Sequence, residues 1–308
     1  MAERKEDFSR LEISLPGCLE NYRYFRSKIE PSTRLLVLVK ANAYGHGAVE
    51  FASLLQAEGA DYLAVALPIE GVQLRRSGIS LPILVLTSGV DFFPEIVESK
   101  LEPGIPNLYT LQSFCSYLDE RGITEYPVHI KLDTGMHRLG FMSGELDELC
   151  EFLKAHPQIK VKSIYSHLSD AECREYSLSQ IDKFQRYAGA IGAALGYKPM
   201  WHVLNSAGIQ LYPEYQFDMV RLGIGIYGVI LGAYLLVRNW FDFSGIAKRS
   251  IVNVIVKIKS TTNSIGNRNP CKIFYILTAP KAFFCNRTSI HIIIYISWKS
   301  KFFCKYFC

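Results

Sequence analysis

The last eighty residues contain almost no acid. From Val229 to Cys308 one carboxylate, Asp242, stands against twelve Lys or Arg, and glutamate is absent. The preceding residues hold 22 basic and 28 acidic side chains, so the overall charge of +5 hides a body of −6 and a tail of +11. A basic tail can bind an anionic surface. Its excess of Ile, Phe, Lys and Asn fits a blander origin better, because AT-rich DNA encodes these residues when read in the wrong frame. Residues 229–308 are therefore expected to be a truncated or frame-shifted stretch rather than a selected domain. Other absences narrow the class. None of the eight cysteines makes a C-x-x-C pair, which argues against a zinc site, and no metal is expected. No apolar run reaches the roughly 18 residues of a membrane span. The opening "MAERKEDFSR" has no apolar core of a secretory signal. A cytoplasmic, reducing setting with free thiols is expected.

What is present is ample core material: 308 residues, 49% hydrophobic and 13% aromatic. Short apolar runs alternate with amphipathic stretches. The predicted strands are "LLVLVKA" from Leu35, "DYLAVA" from Asp61, "PILVLT" from Pro82, a weak "LEPGI" from Leu101, "VHIKLDT" from Val128, "VKSIYSHL" from Val161, "WHVLN" from Trp201 and "MVRLGI" from Met219. Between them, segments such as "HGAVEFASLLQAEG", "TLQSFCSYLDERG" and "GELDELCEFLKAH" repeat apolar residues at three and four, as helices packed on a sheet do. Strand–helix alternation means parallel strands with crossover helices. Eight strands suit a closed α/β barrel, a (β/α)8 TIM barrel. No G-x-G-x-x-G follows the first strand, which disfavours an open doubly wound sheet. "LEISLPGCLENYRYFRSKI" reads as a short strand and entry helix, and "IVNVIVKIKS" still alternates like a strand. The expected division is an N-terminal extension (1–10), the barrel (11–228) and the atypical tail (229–308).

In such barrels the chemistry lies at the C-terminal ends of the strands. There the sequence places Lys40; Lys131, Asp133 and Arg138; Ser166 and His167; Asn205 and Ser206; and Arg221 with Gly223 to Gly228. Singly, each has a plain structural explanation: a solvated lysine, a satisfied core histidine, a surface-paired arginine. Together they form a polar ring at one mouth. Small residues after strands seven and eight, Ser206-Ala207-Gly208 and Gly223-Ile224, suit a phosphate cradle. A lysine ending an apolar strand loses its proton more easily, and its neutral amine can form a Schiff base with a carbonyl. Phosphate with a Schiff-base lysine points to pyridoxal 5′-phosphate.

"VKANAYGHG", "KLDTGMHRLGF", "YSHLSDA", "LNSAG" and "RLGIGIYG" together resemble bacterial alanine racemase, over about residues 10–228. The resemblance implies pyridoxal-phosphate-dependent interconversion of L- and D-alanine, supplying D-alanine for peptidoglycan, by a homodimer with no nucleic-acid or membrane partner. It implies that Lys40 holds the cofactor and is the base on one face of the α-carbon. Tyr44 would bind the phosphate, and Asn205, Ser206, Gly223, Ile224 and Tyr227 would frame it. His167 would pack beside the pyridine ring and help hold Arg221, which would face the ring nitrogen. Arg138 would support the phenolic oxygen. Lys131 matches a lysine that is carbamylated in some members, where the new negative charge orients that arginine.

The resemblance also implies a second base, a tyrosine in a Gly/Ser-Tyr-Gly/Ser-Arg motif on the partner subunit's C-terminal β-domain. The sequence has no such motif. "SIGNRN" puts Asn267 at the nearest position, and Tyr275 and Tyr295 lie in unmatched apolar runs. Asparagine cannot act as that base at neutral pH. Weak turnover and weakened dimerisation are therefore expected. The alternative is a single-domain pyridoxal-phosphate carrier without racemase turnover, and a weaker one is a racemase for another amino acid such as serine.

Overall fold

A computed structural model describes residues 9–228 and 257–260. Strand β1 (Ser9–Glu12) leads into α1 (Leu15–Arg26). Ser14 caps that helix by accepting the Gly17 N–H, while Cys18, Tyr22 and Phe25 turn inward. Then strands and helices alternate: β2 (Arg34–Leu38), α2 (Ala48–Ala57), β3 (Tyr62–Val65), α3 (Pro68–Arg76), β4 (Ile83–Val85), α4 (Phe93–Glu98), β5 (Glu102–Ile105) and α5 (Leu108–Asp119). They continue with β6 (Tyr126–Lys131), α6 (Leu146–Ala155), β7 (Ile159–Tyr165), α7 (Arg174–Leu195), β8 (Met200–His202), α8 (Ser206–Leu211) and β9 (Met219–Leu222). All eight barrel strands expected from the sequence are present. The short helices α4 and α8 were not anticipated.

The eight strands are parallel in the order β8-β7-β6-β5-β4-β3-β2-β9. Between β8 and β9 the backbone N–H groups of Asp218 and Arg221 donate to Trp201 O (3.2 Å) and Leu204 O (3.0 Å). These bonds draw the edges into a nearly closed (β/α)8 barrel. The weak "LEPGI" forms β5 despite its proline and glycine. At Gly104 a Cβ would lie 2.5 Å from Tyr165 Oη and 3.0 Å from Val85 O, so the lumen has room only for glycine there.

Alternation along the strands splits the core in two. Val37, Leu63, Val65, Ile83, Val85, Val128 and Ile130 face the helices, joining Phe25, Phe51, Phe114 and Phe184. The lumen side is divided. Leu36, Tyr62, Ala64, Leu84 and Met219 make an apolar wall. Glu102, His129, Lys131, Ser163, His202 and Arg221 form a buried polar one.

β10 (Lys257–Ser260) pairs antiparallel with β1, Ser9 opposite Ser260 and Glu12 opposite Lys257. Those four residues end the predicted strand "IVNVIVKIKS". The rest of the tail, including Asn267, Tyr275 and Tyr295, and residues 1–8 lie outside the described residues. Among the described residues no helix is long and apolar enough to cross a membrane. Cys18, Cys115, Cys150 and Cys173 are free thiols.

Candidate active site

β2 ends two residues before Lys40, and an unusual turn follows the lysine. Ala41, Asn42, Ala43 and Tyr44 all take left-handed conformations, with φ of 51°, 54°, 53° and 55°. Each such non-glycine residue costs roughly 1–2 kcal/mol. Small side chains lessen the clash, and the turn's polar groups are met. Ala43 N donates to Val39 O (2.9 Å), Gly47 N to Asn42 O (3.0 Å), and Ala48 N to Asn42 Oδ1 (2.9 Å). The Glu70 carboxylate accepts Ala41 N (2.6 Å) together with Ala66 N (2.7 Å) and Leu67 N (3.0 Å). It clips the lysine turn to the mouth of β3. The result sets Lys40 Nζ 5.9 Å from the Tyr44 ring centroid.

Around that amine the structure gathers positive charge. Burial and the Arg138 guanidinium lower the pKa of Lys40, which Glu70 partly opposes. Lys131 ends β6 at 9% exposure. Burial, Arg221 and Arg138 bring it down to about 7 against the pull of Asp133. His167, after β7, is pushed well below the ordinary imidazole value by burial and by Arg221, Lys131, Arg138 and Lys40. It is held as a neutral ring. Arg138 lies on the exposed loop after β6 and acts on all three. Lys40, Lys131, Arg138 and Arg221 thus share one mouth with few carboxylates to balance them, an arrangement that calls for an anionic ligand.

Arg221, inside β9, is buried and firmly held. NH1 donates to His202 Nδ1 (3.0 Å) and His202 O (2.9 Å). NH2 donates to Ser166 O and Val203 O (2.9 Å) and lies 3.3 Å from His167 Nδ1. Burial lowers its pKa only to about 10, so it remains charged at neutral pH.

The expected phosphate residues also converge. Ser206 Oγ accepts Gly223 N (2.9 Å) and Gly225 N (3.2 Å), and Asn205 Oδ1 accepts Gly208 N (2.9 Å). A Cβ at Gly223 would stand 3.4 Å from Tyr44 Oη and 3.8 Å from Ser206 Oγ, filling the gap between them. The N–H groups of Gly208 and Gly223 are therefore spoken for by side chains rather than left open. Those of Ser206 and Ala207, at the start of α8, have no carbonyl before them within the helix. Ile224 exposes its side chain at the rim. Tyr227 donates to Leu38 O (2.9 Å) and packs on Tyr44, His46 and Phe51, bracing the end of the strand that leads to Lys40. Burial raises the Tyr44 pKa to about 12, keeping its phenol a neutral donor.

The family model for the alanine racemase N-terminal domain matches residues 13–230. The chain belongs to this family. Alanine racemases from Synechocystis sp. and Nostoc sp. are 36% and 35% identical to it over 231 and 233 residues, each alignment covering 73% of this chain. The chain spans 61% and 60% of their lengths. Among solved structures, the Clostridium difficile alanine racemase in complex with cycloserine superposes with a TM-score of 0.74 at 30% identity, over 86% of this chain and 71% of that one. The Bartonella henselae alanine racemase with covalently bound pyridoxal phosphate superposes with a TM-score of 0.65 at 28% identity, over 72% of this chain and 61% of that one.

For an alanine racemase barrel, two groups of residues were missed from the sequence. Glu70 was one; its signal was a carboxylate in the third position of "PIEG", at the start of a helix. The lumen set of Glu102, His129, Ser163 and His202 was the other. Polar residues at alternate positions of "VHIKL", "VKSIY" and "WHV" were the available sign that one barrel face is polar.

Proposed function

We propose that this chain is the cofactor-binding barrel of an alanine racemase that interconverts L- and D-alanine with pyridoxal 5′-phosphate. The observation that carries the reading is the meeting of a half-buried, depressed-pKa lysine, three further cations and the Tyr44–Ser206–Gly223 gap at one mouth. The cofactor, when bound, supplies a carbonyl for covalent attachment and a conjugated ring that withdraws electrons from the substrate's α-carbon. Lys40 would hold it and move a proton at one face of that carbon. Tyr44 would donate to the phosphate, with Asn205, Ser206, Gly223, Ile224 and Tyr227 shaping the cradle. His167 would pack beside the ring.

Arg221 would face the ring nitrogen, since its NH1 and NH2 protons are committed to protein acceptors and Nε remains for a ligand. A permanent guanidinium there disfavours protonation of that nitrogen. Arg138 would support the phenolic oxygen. Lys131 would take up CO2, losing one proton, to become a carbamate between the Arg138 and Arg221 charges; an amine with a pKa of about 7 is largely neutral just above neutrality and so reactive. The sequence has no tyrosine motif to carry the base for the opposite face in a cytoplasmic homodimer. The chain by itself is expected to turn over weakly.

The test is to load the full chain with pyridoxal phosphate, reduce with borohydride, and locate the fixed adduct by mass spectrometry. A coupled D-alanine assay with the same preparation follows. An adduct on Lys40 with measurable, Lys40-dependent racemisation is expected. Failure to fix cofactor at Lys40, or binding with no turnover at any enzyme concentration, would overturn the reading.

A further inference from the structure

The polar wall of the lumen is continuous. Arg221 NH1 lies 3.0 Å from His202 Nδ1, and His202 Nε2 lies 2.8 Å from Ser163 Oγ. Ser163 Oγ lies 2.5 Å from His129 Nδ1, and His129 Nε2 lies 2.7 Å from Glu102 Oε2. Lys162 Nζ, at the barrel's other end, completes the line 2.6 Å from Glu102 Oε1. The strands β5 to β9 each supply one of the five residues from Glu102 to Arg221. His129, Ser163 and His202 have no exposed surface, and Glu102 and Arg221 have 6% and 4%.

Proton counting fixes the direction. A guanidinium only donates, so His202 Nδ1 accepts and its proton sits on Nε2. That N–H donates to Ser163 Oγ. The one Ser163 hydroxyl proton then has His129 Nδ1 as its acceptor, and His129 donates through Nε2 to Glu102. If His129 carried two protons, both rings would donate to Ser163. Its buried hydroxyl proton would then have no acceptor among the described residues, at a cost of about 1–3 kcal/mol.

We propose that this wall is a one-way hydrogen-bond chain from Arg221 to Glu102, and that Ser163, His129 and Glu102 are positioning residues for the Arg221 guanidinium. The chain keeps the His202 lone pair aimed at NH1. Together with Ser166 O and Val203 O it immobilises the guanidinium and leaves Nε for the mouth. The chain ends on Glu102, whose other oxygen is paired with Lys162, and the groups that touch the Arg221 guanidinium are neutral.

What Arg221 is held for rests on the cofactor reading above; the direction of the chain does not. The test therefore uses the full chain without cofactor, labelled with 15N-histidine and 15N-arginine, so the two readings fail separately. His129 and His202 are expected to be neutral, each with its proton on Nε2. Two protons on His129, or a proton on His202 Nδ1, would overturn the chain. Glu102→Gln is expected to move the His129 resonances and, more weakly, those of His202. In a Ser163→Ala background it should no longer move His202, because the link is cut. A His202 response that persists in that background would overturn the coupling. Guanidinium protons of Arg221 should exchange roughly tenfold faster in Glu102→Gln, and an unchanged rate in a folded variant would refute the positioning role. The wild-type spectrum alone decides the tautomers should Ser163→Ala fail to fold.

Discussion

Burying Lys131 among Arg138 and Arg221 should make the stability of this chain depend on pH in a calculable way. Its pKa is about 7 in the folded chain against an ordinary 10.5. Below pH 7 the ammonium is present in both folded and unfolded states, and the folded state bears the full burden of burying it. Between these two values the unfolded chain binds more protons, so stability rises with pH. The full gap corresponds to about 5 kcal/mol, of which about half falls between about pH 6 and pH 9. Lys131→Met keeps the buried stem and removes the charge. Urea unfolding of both proteins in CO2-free buffer, at about one-unit pH steps across that range, isolates the group. The variant should be the more stable at the acid end, and its advantage should shrink by about half of that gap by the alkaline end. Bicarbonate should stabilise the wild type and leave Lys131→Met unchanged, because only the lysine can form a carbamate. A stability difference that stays constant with pH would refute the charge-burial account.

Lys40→Ala should fold normally, since Lys40 is only half-buried at the mouth, and should yield no borohydride-fixed adduct at that position by mass spectrometry. Ser206→Ala leaves the Gly223 and Gly225 N–H groups without their acceptor and should cost about 1–3 kcal/mol in urea unfolding, with weaker pyridoxal-phosphate binding by titration. Glu70→Gln removes the charged acceptor shared by Ala41, Ala66 and Leu67. A loss of about 1–3 kcal/mol is expected, with slower fixation of cofactor at Lys40. Ala43→Val puts a β-branched residue at a fully buried position with φ of +53° and should lower stability by about 2–3 kcal/mol or more in thermal unfolding.

The barrel was legible because its signals are local. "LLVLV", "YLAV" and "ILVL" are apolar on both faces, as strands between a packed lumen and a helix layer must be, and the intervening segments carry helical periodicity. The mouth residues were legible because strand ends in a barrel share one side. Two features were not. The left-handed turn of Ala41 to Tyr44 depends on Glu70, 29 residues away, whose carboxylate reaches Ala41 N. Without that long-range acceptor "KANAY" reads as an ordinary turn. The lumen chain needs register between strands. His129 lies opposite Ser163 and Tyr165 opposite His202, relations set by pairing and by the shift at Val128/His129. Alternation alone shows that such residues face one side, not that their nitrogen and oxygen atoms meet.

The cations at the mouth have two consequences from one cause. Their mutual repulsion and burial lower the pKa values of Lys40 and Lys131 and keep His167 neutral. That repulsion is a cost to the folded chain, and it is also what makes both amines easier to deprotonate, Lys131 near neutral pH. An anionic ligand would reduce the cost by balancing the cluster, while the local exclusion of water would still favour a neutral lysine. Arg221 stands apart, because it is held by the His202 ring and by backbone carbonyls, all neutral acceptors, and among the described residues no carboxylate is bonded to it. A carboxylate in direct contact would cancel its field at the mouth. Neutral acceptors secure the side chain and let the charge act on whatever lies against Nε. The geometry therefore separates holding the arginine from neutralising it, which is what its proposed role beside a ring nitrogen would require.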